Sequence, residues 1–172
     1  MSSGLPGLRA SDPASRLSIY LADHLAGSRT GIGLARRLAE QNEGTAVGDD
    51  LARIAFEIEE DLESLRELMR RVGAHRDVLK EGMSWTVEKL ARMKLNGQVL
   101  GYSPLSRLIE LEALMLGVTG KLSGWTSVQS ALEGDPRLAG FDLDRLIARA
   151  ENQRSIIDNH RIAAAVAAFR GA

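Results

Sequence analysis

An all-α fold is what this sequence predicts, on three observations. Four long segments place apolar residues at steps of three and four, none alternates apolar and polar residues between hairpin turns, and the segment boundaries carry helix caps and stops. Two pairs of long helices separated by a longer connection describe a four-helix bundle with a crossover.

The first helix opens at Ser11-Asp12-Pro13, where Asp12 can accept from free backbone N–H groups and Pro13 takes a first-turn position that needs no donor. It runs to about Gln41 and ends at Asn42-Glu43-Gly44. The second is expected from near Asp49-Asp50, whose charge suits a helix N-terminus. Leu51, Ile54, Ile58, Leu62, Leu65, Met69 and Val72 give its apolar row, and Gly73 stops it. Between residues 74 and 102 the crossover is expected to hold a shorter helix around Trp85, then a break at Asn96-Gly97 and Gly101. A third long helix opens at Ser103-Pro104, again a cap followed by proline, and continues to about Leu132. Gly134-Asp135-Pro136 ends it in a turn or short helical piece. The last helix is expected from about Asp142 to Phe169, with an alanine-rich end, IAAAVAAF, that lets another helix approach. Residues 1–12 read as a flexible tail and 13–172 as one helical-bundle domain, a length suited to a single core.

Composition narrows the function classes. Hydrophobic residues at 44% and charged residues at 26% describe a folded, soluble chain. A formal charge of −1 gives no basic footprint for nucleic acid, and the small clusters Arg70-Arg71 and Lys89, Arg92, Lys94 have acids close by. With no cysteine there are no disulfides, thiolate nucleophiles or cysteine metal sites, which fits a reducing, cytoplasmic location. The first thirteen residues lack a signal-peptide core, and no segment approaches the roughly 18 apolar residues of a membrane span.

Rotation by roughly 100° per residue shows which polar groups share the apolar stripes. On the first helix Leu17, Leu21, Ser28, Ala35 and Ala39 define a stripe with His24 near its centre and Tyr20 beside it. Glu57 and Asp61 flank the row of the second. On the third, Leu105, Ile109, Leu116 and Gly120 surround Glu112. On the fourth, Leu143, Ile147, Ala150 and Ile157 share their face with Arg154 and Arg161, with Glu151 and Asp158 towards one edge. An unpaired buried charge is costly, so these groups are expected to meet each other or a ligand.

The arrangement resembles the ferritin-like superfamily, in which two core helices each give a glutamate and two give Glu-x-x-His, together holding two iron or manganese ions. Glu112 matches the third-helix glutamate, and Glu151-Asn-Gln-Arg154 matches Glu-x-x-His at its glutamate only. Glu57-Ile-Glu-Glu60 has no histidine, and His24 stands in place of the first-helix glutamate. Arginine is a permanent cation and would repel a metal. The expected outcome is a polar layer replacing the di-metal site, with Glu112 paired to Arg154 or Arg161 and His24 bonded to Asp61 or Glu57. No cofactor is expected. The alternative is a mononuclear Fe, Mn or Zn site using His24, Glu112 and Asp61, with water completing the shell.

Gly31-Ile-Gly33 lacks the preceding strand and third glycine of a dinucleotide fingerprint, and helix packing accounts for it. The third helix has a second apolar stripe, Leu111, Leu114, Met115, Val118, Leu122 and Trp125, which must also be covered, by residues 76–100 or by a second copy of the chain. Leu111, Leu114, Val118 and Trp125, with the outward Phe56, are therefore interface candidates for a homodimer. The reading is a non-catalytic helical bundle whose polar layer can take a small-molecule ligand. The alternatives are a metal-dependent oxidoreductase or iron-handling protein with an altered ligand set, and a helical protein-interaction adaptor.

Overall fold

A computed structural model describes residues 12–74 and 102–170. The expected tail before Asp12 and the expected crossover helix around Trp85 lie outside the described residues. Four long helices make up the rest: α1 (Pro13–Gln41), α2 (Ala46–Val72), α3 (Pro104–Ala131) and α4 (Leu143–Arg170), with a 3-10 turn at Pro136–Leu138 between the last two.

Their ends follow the capping chemistry of the sequence. The Asp12 carboxylate accepts from the Ser15 N–H at 2.9 Å, and the Ser103 hydroxyl accepts from the Ser106 N–H at 3.1 Å. Asp142 accepts from the Arg145 N–H at 2.9 Å, at the start of α4. The second helix begins earlier than its acidic pair suggested. Thr45, in an extended conformation, accepts from the Gly48 N–H at 3.2 Å and caps a helix that opens at Ala46, so Asp49 falls inside the first turn. A side chain at Gly48 would overlap the Asn42 carbonyl, so the tight α1–α2 corner needs glycine there. Gly73 closes α2 at a φ of 71°, the left-handed C-cap that glycine adopts without a Cβ penalty.

The helices pair as two antiparallel hairpins, α1 with α2 and α3 with α4, and the hairpins join chiefly through α1 and α3. Arg37 reaches Glu110 at 2.8 Å near one end of the α1–α3 seam, and the His24 ring faces Gly124 farther along, which makes these two helices antiparallel. Arg149 reaches Glu60 at 2.6 Å, and His160 reaches Asp50 at 2.9 Å, which orients α4 against α2 in the same way. Tyr102 sits at the Asn42 end of the bundle, whereas the Val72 carbonyl accepts from Arg137 at the other. Hence α2 ends and α3 begins at opposite ends, and the two run in the same direction.

Two apolar clusters fill the interior. One joins Leu34, Leu38, Leu51, Ile54, Leu108, Leu111, Leu114 and Ile157 near the Asn42 end. The other joins Leu21, Leu25, Leu62, Leu65, Leu68, Trp125, Val128 and Leu146 near the 3-10 turn.

Two helices are rotated from expectation. The stripe of α3 expected to face inward is exposed, with Leu116 at 65%, while Leu111, Leu114, Val118 and Trp125 are core residues. These four therefore pack within the chain and do not form an outer face; Phe56 alone of the expected interface residues is exposed. On α4 the inward row is Leu143, Leu146, Ala150, Gln153, Ile157 and Ala164, which turns Arg154 outward. The cause in α3 is plain: a helix apolar on two opposite sides does not fix its own rotation.

Candidate functional site

Between the two apolar clusters lies a layer of charged and polar side chains. Asp61, on α2, is only 2% exposed and sits at its centre. Lys121 of α3 donates to one Asp61 carboxylate oxygen and to the Gln153 side-chain carbonyl, and Arg149 of α4 donates to the other Asp61 oxygen. Arg149 also donates to Glu60 at 2.6 Å, and Gln153, fully buried, donates to Glu57 at 2.8 Å. Arg53 lies 3.8 Å from Glu57 at the rim. Two half-buried cations thus face the buried Asp61 and the partly buried Glu57, while Glu60 serves Arg149 from the surface. Burial holds the Lys121 ammonium below its ordinary range, and the Asp61 carboxylate beside it is the main influence opposing that shift.

His24 stands next to this layer. Its ring meets Tyr20 edge-on, with centroids 4.6 Å apart, and lies against the backbone of Gly124. A Cβ at Gly124 would come within 2.9 Å of the ring. Gly124→Ala should therefore destabilise the fold by about 1–3 kcal/mol, as overpacking does. Chemical denaturation should show that penalty shrinking in a His24→Ala background.

Burial favours the neutral His24 ring, against the weaker pull of the Asp23 charge. The linkage has a definite sign: between the lowered folded pKa and the ordinary value of 6.5 the unfolded chain binds more protons. His24 therefore contributes its full stability above that ordinary value and loses it as the pH falls towards the folded one. Burial sets the direction, and Asp23 on the same helix is the charged group that opposes it; Asp61 and Lys121 face the ring across the cavity. His24→Phe should show a flatter stability profile on the acid side than the unmodified protein, and an identical profile would show that His24 does not titrate differently on folding.

The structure brings together some of the residues expected at a site and separates others. Asp61 and Glu57 are in the layer, and His24 shares a cavity wall with Asp61. No hydrogen bond joins the His24 ring to Asp61 or Glu57 among the described residues, so that expected bond is replaced by packing on Tyr20 and Gly124. Glu112 and Arg154 are exposed and unpaired with one another because of the two helix rotations. Of the two expected pairings of Glu112, the one with Arg161 is present at 4.0 Å, but outside the layer, where the half-buried Arg161 also bonds Asp158 at 2.7 Å. Glu151 is exposed too. The alternative metal set of His24, Glu112 and Asp61 does not converge, since Glu112 faces outward. Among the described residues no group of three or more histidine or acidic side chains is placed to hold a metal ion.

Lys121, Arg149 and Gln153 were not expected in the layer. A signal for two of them is present in the sequence: Lys121 continues the row Leu111, Leu114, Val118, and Gln153 interrupts the row Ala150, Ile157, each at helical spacing. No protein-family model, curated protein or solved structure matches the chain.

Proposed function

We propose that this is a non-catalytic, ferritin-like four-helix-bundle protein in which the Lys121 ammonium stands where that fold holds its metal ions, and that it associates as a homodimer. The parallel run of α2 and α3 supports the ferritin-like reading, because that topology requires a long crossover between the second and third helices. The observation that carries the functional reading is the Lys121 ammonium bonded to Asp61 and Gln153 at mid-bundle. A tethered cation satisfies the buried carboxylate without a divalent ion, and Arg149 satisfies its second oxygen. Lysine and arginine offer no acceptor to a metal.

The homodimer reading rests on a different observation. Leu105, Ile109 and Leu116 on α3, and Ile162, Val166 and Phe169 on α4, are exposed large apolar side chains on faces turned away from the core. Glu112 and Arg161 lie on the same side of the bundle, so a copy turned by a two-fold axis can meet opposite charges.

The test of the central reading is metal content by mass spectrometry, on protein purified without chelator and after anaerobic exposure to Fe(II), Mn(II) or Zn(II). Only trace metal is expected after desalting. Retention near one ion per chain, lost on Asp61→Ala and His24→Ala, would overturn the proposal in favour of the iron-handling or oxidoreductase alternative.

A further inference from the structure

Beside the charged layer, a cavity of about 20 Å³ opens between α1, α2 and α3, with His24, Ser28, Asp61, Lys121 and Trp125 on its wall. Trp125 is 4% exposed, and its indole N–H has no protein acceptor among the described residues. The indole can only donate, so this buried group requires an acceptor.

Size and charge restrict what that acceptor is. A cavity needs roughly 10–15 Å³ of this kind of space to hold one water, so this one takes a single small molecule. Asp61 already receives Lys121 and Arg149, and Gln153 already spans Lys121 and Glu57. An added anion or cation would bring a charge into this layer with no counter-charge left to meet it. An uncharged molecule adds none. We propose that the cavity is a binding site for one small uncharged hydrogen-bond acceptor, held by the Trp125 indole N–H, with water as its ordinary occupant. His24, Ser28, Asp61 and Lys121 line the cavity together with the apolar Leu21, Leu65 and Val128, so the indole N–H is the one buried polar group there that lacks a partner among the described residues, and the occupant's remaining bonds must come from these four neighbours. The uncharged character of the ligand rests on the metal-free, charge-paired layer of the proposed function: a metal on Asp61 and His24 would appear in the metal analysis, whereas an absent peak beside Trp125 Nε1 in metal-free protein would overturn this site alone.

The experiment is a crystal structure of the full chain at a resolution that shows ordered water, with a second crystal soaked in sodium bromide and a third of Trp125→Phe. A single density peak within hydrogen-bond distance of Trp125 Nε1, with no anomalous signal after the bromide soak, is the expected result. The same peak should be lost or displaced in Trp125→Phe, which keeps an aromatic ring and removes the donor. No peak beside Nε1, a bromide anomalous peak in the cavity, or an unmoved peak in Trp125→Phe would each overturn the proposal. Because the unmodified protein carries the first two readouts, a variant that fails to fold does not remove the test.

Discussion

Replacing Asp61 by alanine is expected to destabilise the folded protein by about 3–5 kcal/mol, measured as a loss of midpoint in urea with an unchanged slope. The cause is not the value of one ion pair. Lys121 and Arg149 would keep their positive charges in a site where each side chain is only 13% exposed, with their shared carboxylate gone. Desolvated charge without a partner is the costly state, and it falls on Lys121: Arg149 keeps Glu60 at the surface, whereas Glu57 is engaged by Gln153 and Asp61 is the carboxylate that Lys121 bonds. The converse experiment separates the charge from the space it fills. Asp61→Leu combined with Lys121→Met, Arg149→Met and Gln153→Met should leave stability within about 1 kcal/mol of the starting protein or raise it, because well-packed apolar groups often equal a buried ionic cluster. If the combined variant were as unstable as Asp61→Ala, the layer would be contributing through shape and not through charge pairing.

The second large effect distinguishes the two faces of α3. Leu111→Ala should cost about 2–5 kcal/mol, since Leu111 is fully buried in the core cluster near the Asn42 end. Leu116→Glu, on the opposite face, should change stability by no more than about 0.5 kcal/mol. Its effect should appear instead in solution mass, read by light scattering, as a shift from dimer to monomer. A monomeric starting protein would remove the homodimer part of the proposal, and a large loss of stability in Leu116→Glu would contradict the rotation of α3.

These two faces also show how far the sequence could be read. The four long helices of the described residues, the caps at Asp12 and Ser103, the start of the last helix near Asp142 and the stop at Gly73 follow from local chemistry that acts on a few neighbouring residues. Helix rotation is a different kind of property. In α2 the charged residues leave one apolar row, and its inward face is legible, including the place of Asp61. In α3 the rows Leu105-Ile109-Leu116 and Leu111-Leu114-Val118 are equally apolar, and only packing against α1 and α4 selects the second.

That one choice decided the candidate site. With the first row inward, Glu112 becomes the central polar residue and Arg154 its natural partner. With the second row inward, Lys121 enters the layer and Glu112 leaves it. On α4, a rotation that puts Gln153 at the centre carries Arg149 to Asp61 and Arg154 to solvent. The second, third and fourth helices bring polar groups to a shared layer, because the cost of burying polar groups applies whichever residues they are, while His24 of the first packs beside it. His24 was legible as a residue beside that layer. Its packing on Gly124 was not, because contact between a ring and a backbone on another helix leaves no periodic trace in the sequence.

A double-mutant cycle isolates the bond between Asp61 and Lys121, with Asp61→Ala, Lys121→Ala and the pair measured by urea denaturation. The bond between a lysine ammonium and a carboxylate in a buried layer predicts a coupling of about 1–3 kcal/mol, with the double variant more stable than the sum of the single losses implies. Additivity to within about 0.3 kcal/mol would mean that the two side chains do not depend on each other, and the tethered-cation account of the layer would be contradicted.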